Sequence, residues 1–215
     1  MEIVFLEKGS LGNDLDLSYF SELGHVTFYE LTKPEEVPER IRDADVIIVN
    51  KIPMNEATLS GASHLKLVAL TATGMNNIDF DYTNSHGIQV KNVAGYSTNA
   101  VAQHTFALLF YVLHRLAYYD NYVKSGAYCT NPGFSHFDEK FSELDGKTWG
   151  IVGMGAIGQR VASIAEAFGC HVIYYSTSGR NTDQPYERVD FEELLKRSDV
   201  ISLHAPLNPD TEGIM

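Results

Sequence analysis

Short apolar runs alternate with amphipathic stretches from the first residues of the chain. Ile3–Leu6, Val26–Tyr29, Val46–Val49, Leu67–Leu70 and Ile88–Lys91 are short runs dominated by Val, Ile, Leu and Phe. Runs of that length suit strands buried on both faces, as in parallel sheets. Between them lie helical patterns at Leu17–Leu23, Pro34–Ile41, Asn55–Ala62 and Phe80–Ser85, punctuated by Pro34 at a helix start and by Gly24, Gly61 and Gly87 near helix ends. The alternation predicts a first α/β domain over roughly Met1–Ala94.

A long helical pattern follows, Thr98 to Tyr122, with Val101, Thr105, Leu108, Leu109, Val112 and Leu116 on one face. Ser97, Thr98 and Asn99 offer N-cap chemistry. Phe106, Phe110 and Tyr111 widen the apolar surface beyond one stripe, which predicts a connector buried on several sides. Residues 125–145 are irregular and rich in Gly, Asn, Pro and aromatic side chains. A second alternation then predicts strand Thr148–Val152, helix Ala156–Phe168, strand His171–Tyr175, helix Phe191–Lys196 and strand Val200–Leu203.

Composition narrows the classes of function. The chain has 215 residues, 44% of them apolar and 20% charged, enough for a core without metal or disulfide staples. Lys and Arg number 16 against 28 Asp and Glu, a formal charge of −12 that disfavours nucleic acid and anionic membrane surfaces as partners. Cys129 and Cys170 show no metal-binding spacing and suit a reducing, cytoplasmic setting. The N-terminus has no signal-peptide pattern, and the most apolar stretch, Thr105–Leu113, is too short to span a bilayer.

The main chemical signal is Gly153-Met154-Gly155-Ala156-Ile157-Gly158, placed after a predicted strand and opening a predicted helix. Gly153 permits the tight turn, Gly155 lets backbone approach a pyrophosphate, and Gly158 lets helix pack on strand. Amides at the helix N-terminus, Ala156 and Ile157 among them, then face phosphates. The ribose-reading position, about 20 residues on, falls at Ser176, followed by Thr177 and, four residues on, Arg180. No carboxylate stands there. Hydroxyls and an Arg suit the 2′-phosphate of NADP, which is favoured over NAD; a serine also tolerates NAD, and a plain polar surface loop is the alternative.

Other candidates read as structural. None of the eight histidines sits in a recognisable nucleophile setting, and His204 reads as shaping a loop at the cofactor edge. Nothing near Cys129 would activate its thiol. Tyr118, Tyr119 and Tyr122 fall at helical spacings and read as packing.

Ala72-Thr73-Gly74-Met75-Asn76-Asn77-Ile78-Asp79, Asn92–Thr98, Val101–Thr105, the glycine fingerprint and Leu203–Leu207 with Thr211-Glu212-Gly213 resemble motifs of the D-isomer-specific 2-hydroxyacid dehydrogenases. Within that family the chain is most similar to glycerate dehydrogenases, also called hydroxypyruvate reductases. The resemblance implies two Rossmann-like α/β domains with parallel sheets and a cleft between them. Residues 1–97 would be a flavodoxin-like substrate domain. Residues 98–215, with the linking helix 98–122, would be the first part of an NAD(P)-binding domain only partly present. It implies that amides at Thr73 and Gly74 hold a substrate carboxylate, that Thr73 also touches the cofactor, and that Ala205 and Pro206 line the adenosine side. The activity implied is NAD(P)-dependent reduction of a small 2-keto acid, hydroxypyruvate or glyoxylate, in a homodimer paired through the 98–122 region.

The family's catalytic Arg, Glu and His all lie, by resemblance, beyond Met215, so no catalytic residue is assigned here. Completing the nucleotide domain needs roughly 90 further residues at about 30 per βαβ unit. The expectation is a piece of a longer enzyme, inactive alone; the alternative is a naturally short, non-catalytic NAD(P)-binding interaction module.

Overall fold

The computed structural model describes residues 1–215, which divide into two compact units, Met1–Tyr96 and Ser97–Met215. In the first unit, β1 (Glu2–Phe5), β2 (His25–Phe28), β3 (Val46–Val49), β4 (Leu67–Leu70) and β5 (Gln89–Lys91) form one parallel sheet in the order β2-β1-β3-β4-β5. This is the flavodoxin-like order. Three short helices connect them: α1 (Val37–Arg40), α2 (Glu56–Leu59) and α3 (Phe80–Ser85). Asn55 caps α2 by accepting from the Thr58 amide, and Asp79 caps α3 by accepting from the Tyr82 amide. Ile47, Val49, Val68, Leu70 and Met54 fill the core on one face of the sheet, and Ile3, Phe5 and Ile48 fill the other.

Three predicted helices of this unit are shorter than their patterns: Asn55–Ala62 is helical only over α2, Glu56–Leu59. Ser18–Glu22 is a 3-10 turn, and Pro34–Ile41 splits into a 3-10 turn at Pro34–Glu36 followed by α1. A second proline, Pro38, in the first turn of α1 fits this restart.

The second unit opens with α4 (Thr98–Leu113), α5 (Leu116–Lys124) and the single turn α6 (Ala127–Thr130). The single helix 98–122 expected from periodicity is therefore two helices. Arg115 adopts the left-handed conformation at φ 53° between them. That conformation costs about 1–2 kcal/mol for a non-glycine residue. It is offset by contacts the pattern does not reveal: the His114 ring stacks on Phe141, and Arg115 faces Glu139 at 3.7 Å. Ser97 makes no side-chain cap on α4, another departure from the sequence reading. The tyrosines of α5 pack as expected. Tyr122 stacks on His136 with centroids 3.8 Å apart, and the Tyr118 hydroxyl bonds His136 Nε2 at 2.6 Å.

Four parallel strands follow: β6 (Thr148–Val152), β7 (His171–Tyr175), the two-residue β8 (Glu187–Arg188) and β9 (Val200–Leu203). Helices α7 (Ala156–Ala167) and α8 (Phe191–Arg197) connect them, and the sheet order is β8-β7-β6-β9. The chain steps outward from β6 to β8 and then returns to the other side of β6, so the order reverses between β6 and β9. Trp149 on β6 is buried between α4 and the sheet, 4.8 Å from the Phe106 ring, and its indole N–H donates to Ser202 Oγ on β9 at 2.9 Å.

Trp149 is the sole tryptophan, so its fluorescence reports the second unit alone. Ser202→Ala leaves its buried N–H without an acceptor and is expected to lower that unit's stability by about 1–3 kcal/mol. Urea titration followed by tryptophan emission checks this; an unchanged midpoint would remove the bond from the account.

Candidate functional site

At the reversal point the backbone approaches itself closely. Gly153 leaves β6 at φ 95°, and a Cβ there would lie 2.7 Å from the Ala205 nitrogen. A Cβ on Gly158 would lie 2.2 Å from the Gly153 carbonyl oxygen, whereas Gly155 faces open space. The first two glycines thus let chain meet chain, and the third leaves room for a ligand. The Gly155, Ala156 and Ile157 amides donate to no protein acceptor, and they stand at the N-terminus of the 12-residue α7. Open amides and the helix dipole together make an anion-receptive end.

A cleft of about 510 Å³ lies in front of these amides, lined among others by Gly153, Gly155, Ser176, Thr177, Arg180 and Pro206. Six of the sequence-predicted cofactor residues therefore meet in one hollow. Ala156, Ile157, Gly158 and Ala205 are not among its lining residues but lie close to them in sequence. The cleft fits a dinucleotide by three observations: a glycine turn that tolerates no side chain, open amides at a helix end, and a polar wall beyond β7.

That wall has a defined internal structure. Ser176 donates its hydroxyl to the Arg180 carbonyl at 2.6 Å, and the Arg180 amide donates to Ser178 Oγ at 3.3 Å. Ser176 is buried and its proton is committed within the loop, so it faces a ligand as an acceptor only. The Arg180 guanidinium is exposed and pairs with no carboxylate. Thr177, Ser178, Arg180 and Asn181 keep side-chain donors free.

Sequence reasoning did not place Met154, Ser178, Asn181, Asn208 or Asp210 in the lining, and read His204 only as a loop-shaping residue. Asn208 and Asp210 follow β9 in a turn held by Thr211, whose hydroxyl donates to the Pro206 carbonyl at 2.6 Å. Their spacing from the glycine motif carries no signal, because only the strand order brings them near it. His204 Nε2 is buried without a hydrogen-bond partner, and burial holds its pKa below the usual histidine value.

The other predicted residues, Thr73 and Gly74, lie in the first unit, in the turn after β4. Asn77 Nδ2 donates to the Ile52 carbonyl at 2.8 Å, tying this turn to the loop after β3. That neighbouring loop is fixed in turn by Glu7, whose carboxylate accepts from the amides of Asn50, Lys51 and Ile52 at 2.7, 2.8 and 3.3 Å. The amides of Thr73 and Gly74 themselves donate to no protein group. The turn therefore offers fixed, open N–H groups at the carboxyl edge of a parallel sheet, where such folds bind ligands.

No group of three or more His, Cys, Asp or Glu side chains is placed to hold a metal ion, and no helix is long and apolar enough to cross a membrane. Cys170 is buried, donates to the Leu144 carbonyl, and has its thiol pKa raised by burial.

Comparison with known proteins agrees with this geometry. The family model "D-isomer specific 2-hydroxyacid dehydrogenase, NAD binding domain" matches residues 106–215. The hydroxypyruvate reductase of Blautia hydrogenotrophica is 38% identical over 221 residues, covering 100% of this chain and 69% of that protein. Among solved structures, an acyclic imino acid reductase in complex with NADPH and D-Arg superposes with a TM-score of 0.86 at 34% identity, covering 98% of this chain and 67% of that one. A D-lactate dehydrogenase from Aquifex aeolicus complexed with NAD and lactic acid gives 0.82 at 30%, covering 97% and 62%. The chain thus spans about two-thirds of the length of its relatives.

His204 yields a pH prediction. Its folded pKa lies below the unfolded value of 6.5, so below that pH the unfolded chain binds a proton that the folded chain refuses. Its contribution to stability is full above pH 6.5 and is lost as pH falls. Unfolding monitored by Trp149 between pH 7.5 and about 5 is expected to show this loss, with a shallower slope in His204→Gln; equal slopes would contradict it.

Proposed function

Because this chain belongs to the D-isomer specific 2-hydroxyacid dehydrogenase family, a family of oxidoreductases, we propose that it serves the NAD(P)-dependent reduction of a small 2-keto acid, hydroxypyruvate or glyoxylate. The observation that carries this reading is the pairing, in one chain, of a dinucleotide-shaped cleft with a turn of open amides. The residues from 1 to about 97 act as the substrate domain and those from 98 onward as the nucleotide domain.

Each part has a stated task. The Thr73 and Gly74 amides bind the substrate carboxylate by charge-assisted hydrogen bonds. The Ala156 and Ile157 amides, at the positive end of α7, bind the cofactor pyrophosphate. Pro206 and Ala205 line the adenosine side, and Ser176 accepts from a ribose hydroxyl. Thr177 and Arg180 face the ribose, where a guanidinium suits a 2′-phosphate and makes NADP the preferred form. A reduced nicotinamide cofactor held by these residues would supply the hydride to the 2-keto carbon, and the substrate oxygen would take a proton from an acid not assigned among these residues. The arginine, glutamate and histidine that the family resemblance places after the Leu203–Leu207 segment have no counterpart assigned among these 215 residues.

A homodimer through the 98–122 region belongs to the same reading. On α4 and α5, Leu108 is 56% exposed, Val112 65% and Leu116 46%, apolar side chains that a partner could cover. Beside it lies an apolar hollow of about 500 Å³ formed by Phe110, His114, Leu116, Leu144 and Phe168 with Glu143 and Asp145. The cysteine usage and the acidic surface fit a cytoplasmic enzyme of this kind.

The test is oxidation of NADPH or NADH by the protein purified from its source, with hydroxypyruvate and glyoxylate as acceptors. Acceptor-dependent oxidation is expected there. The 215 residues alone are expected to bind the dinucleotide without turnover. Saturable binding with no oxidation in either preparation would replace the enzyme by a nucleotide-binding interaction module. Cofactor choice has its own test: Arg180→Ala is expected to weaken NADPH binding about tenfold, from loss of a charged hydrogen bond, and to leave NADH binding nearly unchanged. Equal losses for both would remove Arg180 from the 2′-phosphate site.

A further inference from the structure

The turn after β4 directs two neighbouring amides the same way, which an extended strand does not do. In a ladder, successive residues offer their backbone groups to alternate sides. Here the Ala72 carbonyl accepts from the Val93 amide at 3.1 Å, and the next carbonyl, Thr73, accepts from the Asn92 side-chain amide at 2.7 Å. Two consecutive carbonyls are thus held by the same short segment at the end of β5. Backbone pairing accounts for the first. Only a side chain reaches the second.

Peptide planarity turns this into a statement about donors. In a trans peptide the carbonyl and the following N–H point in opposite directions, and the chain has no cis bonds. Holding the Ala72 oxygen toward Val93 therefore sends the Thr73 N–H away from it. Holding the Thr73 oxygen toward Asn92 sends the Gly74 N–H away likewise. Neither N–H has a protein acceptor. Side by side, they match the two oxygens of one carboxylate.

We infer that Asn92 is a positioning residue for substrate: its carboxamide captures the Thr73 carbonyl and so aims the Gly74 amide at the substrate carboxylate. This rests on the reading of Thr73–Gly74 as the carboxylate site. A purely structural role for Asn92 is the competing explanation, and the loop has other ties that hold it closed without this side chain. The Val93 amide bonds the Ala72 carbonyl, and Thr73 Oγ1 donates to the Val93 carbonyl at 3.2 Å. Losing Asn92 is therefore expected to free one peptide plane to rotate while leaving the fold in place.

The experiment is amide NMR of the ¹⁵N-labelled 215-residue chain titrated with glyoxylate and read at the Thr73 and Gly74 resonances, apart from those of the open amides at the N-terminus of α7. In the wild-type chain the Thr73 and Gly74 resonances are expected to shift and saturate. Asn92→Leu, close in shape but without a donor, and Asn92→Ala are expected to weaken that response at least tenfold. In both, the Gly155 response to NADPH and the dispersion of the spectrum should stay as in the wild type. Should Asn92→Ala lose its dispersion, Asn92→Leu alone decides. Wild-type glyoxylate affinity in a folded variant lacking the donor would overturn the role of Asn92 while sparing the substrate site. No response at Thr73 and Gly74 in the wild-type chain would overturn the substrate site itself, and this inference with it.

Discussion

The second unit is organised by how closely its backbone approaches itself. Two positions decide it: a Cβ at 153 would lie 2.7 Å from the Ala205 nitrogen, and one at 158 would lie 2.2 Å from the Gly153 carbonyl, while Gly150 makes room for the Ser198 and Leu194 side chains. With glycine at 153 and 158, β6, α7 and the segment leaving β9 can close to backbone contact. The open amides of α7 are then held at the bottom of a cleft whose walls come from β7 and β9. Any side chain at 153 or 158 would push those elements apart, and the cleft would lose its floor before it lost its polar groups. Parallel pairing supports this, since it puts the carboxyl ends of β6, β7 and β9 at one edge, and with them every loop that lines the cleft.

Much of this was legible in the chain itself. β3, β4, β6, β7 and β9 fall where their apolar runs place them, because strands buried on both faces leave an unbroken hydrophobic record. The glycine motif was readable because each glycine answers a steric demand between residues close in sequence. What escaped the reading depends on distant partners. The break at Arg115 carries no glycine or proline; it is set by Phe141 and Glu139, some 25 residues on. β8 is two residues long and polar, a ladder extension with no apolar signature. Asn208 and Asp210 join the cleft through strand order, and Asn92 reaches Thr73 across 19 positions. None of these has a local pattern to betray it.

The two candidate binding regions expose open amides by different means. In the nucleotide cleft the donors come from a helix end, where hydrogen bonding runs out by geometry and the dipole adds its share. In the first unit the open amides of Thr73 and Gly74 lie in a turn and not at a helix end, and in the proposed reading they are aimed by tying down the carbonyls of Ala72 and Thr73. The protein's net charge of −12 opposes anion binding at either region at long range. Fixed local amides are the natural answer, because a hydrogen bond at contact distance outweighs a screened repulsion spread over the surface.

The loop after β7 closes on itself through Ser176 and Ser178, both of which bond the main chain of Arg180 rather than its side chain. Its shape is consequently indifferent to what residues 177 and 180 carry outward. In the proposed reading, cofactor preference would rest on the Thr177 and Arg180 side chains, which make none of the loop's internal hydrogen bonds. The choice between the two nicotinamide dinucleotides would then be open to replacement at residues 177 and 180 without disturbing the loop's own hydrogen bonds.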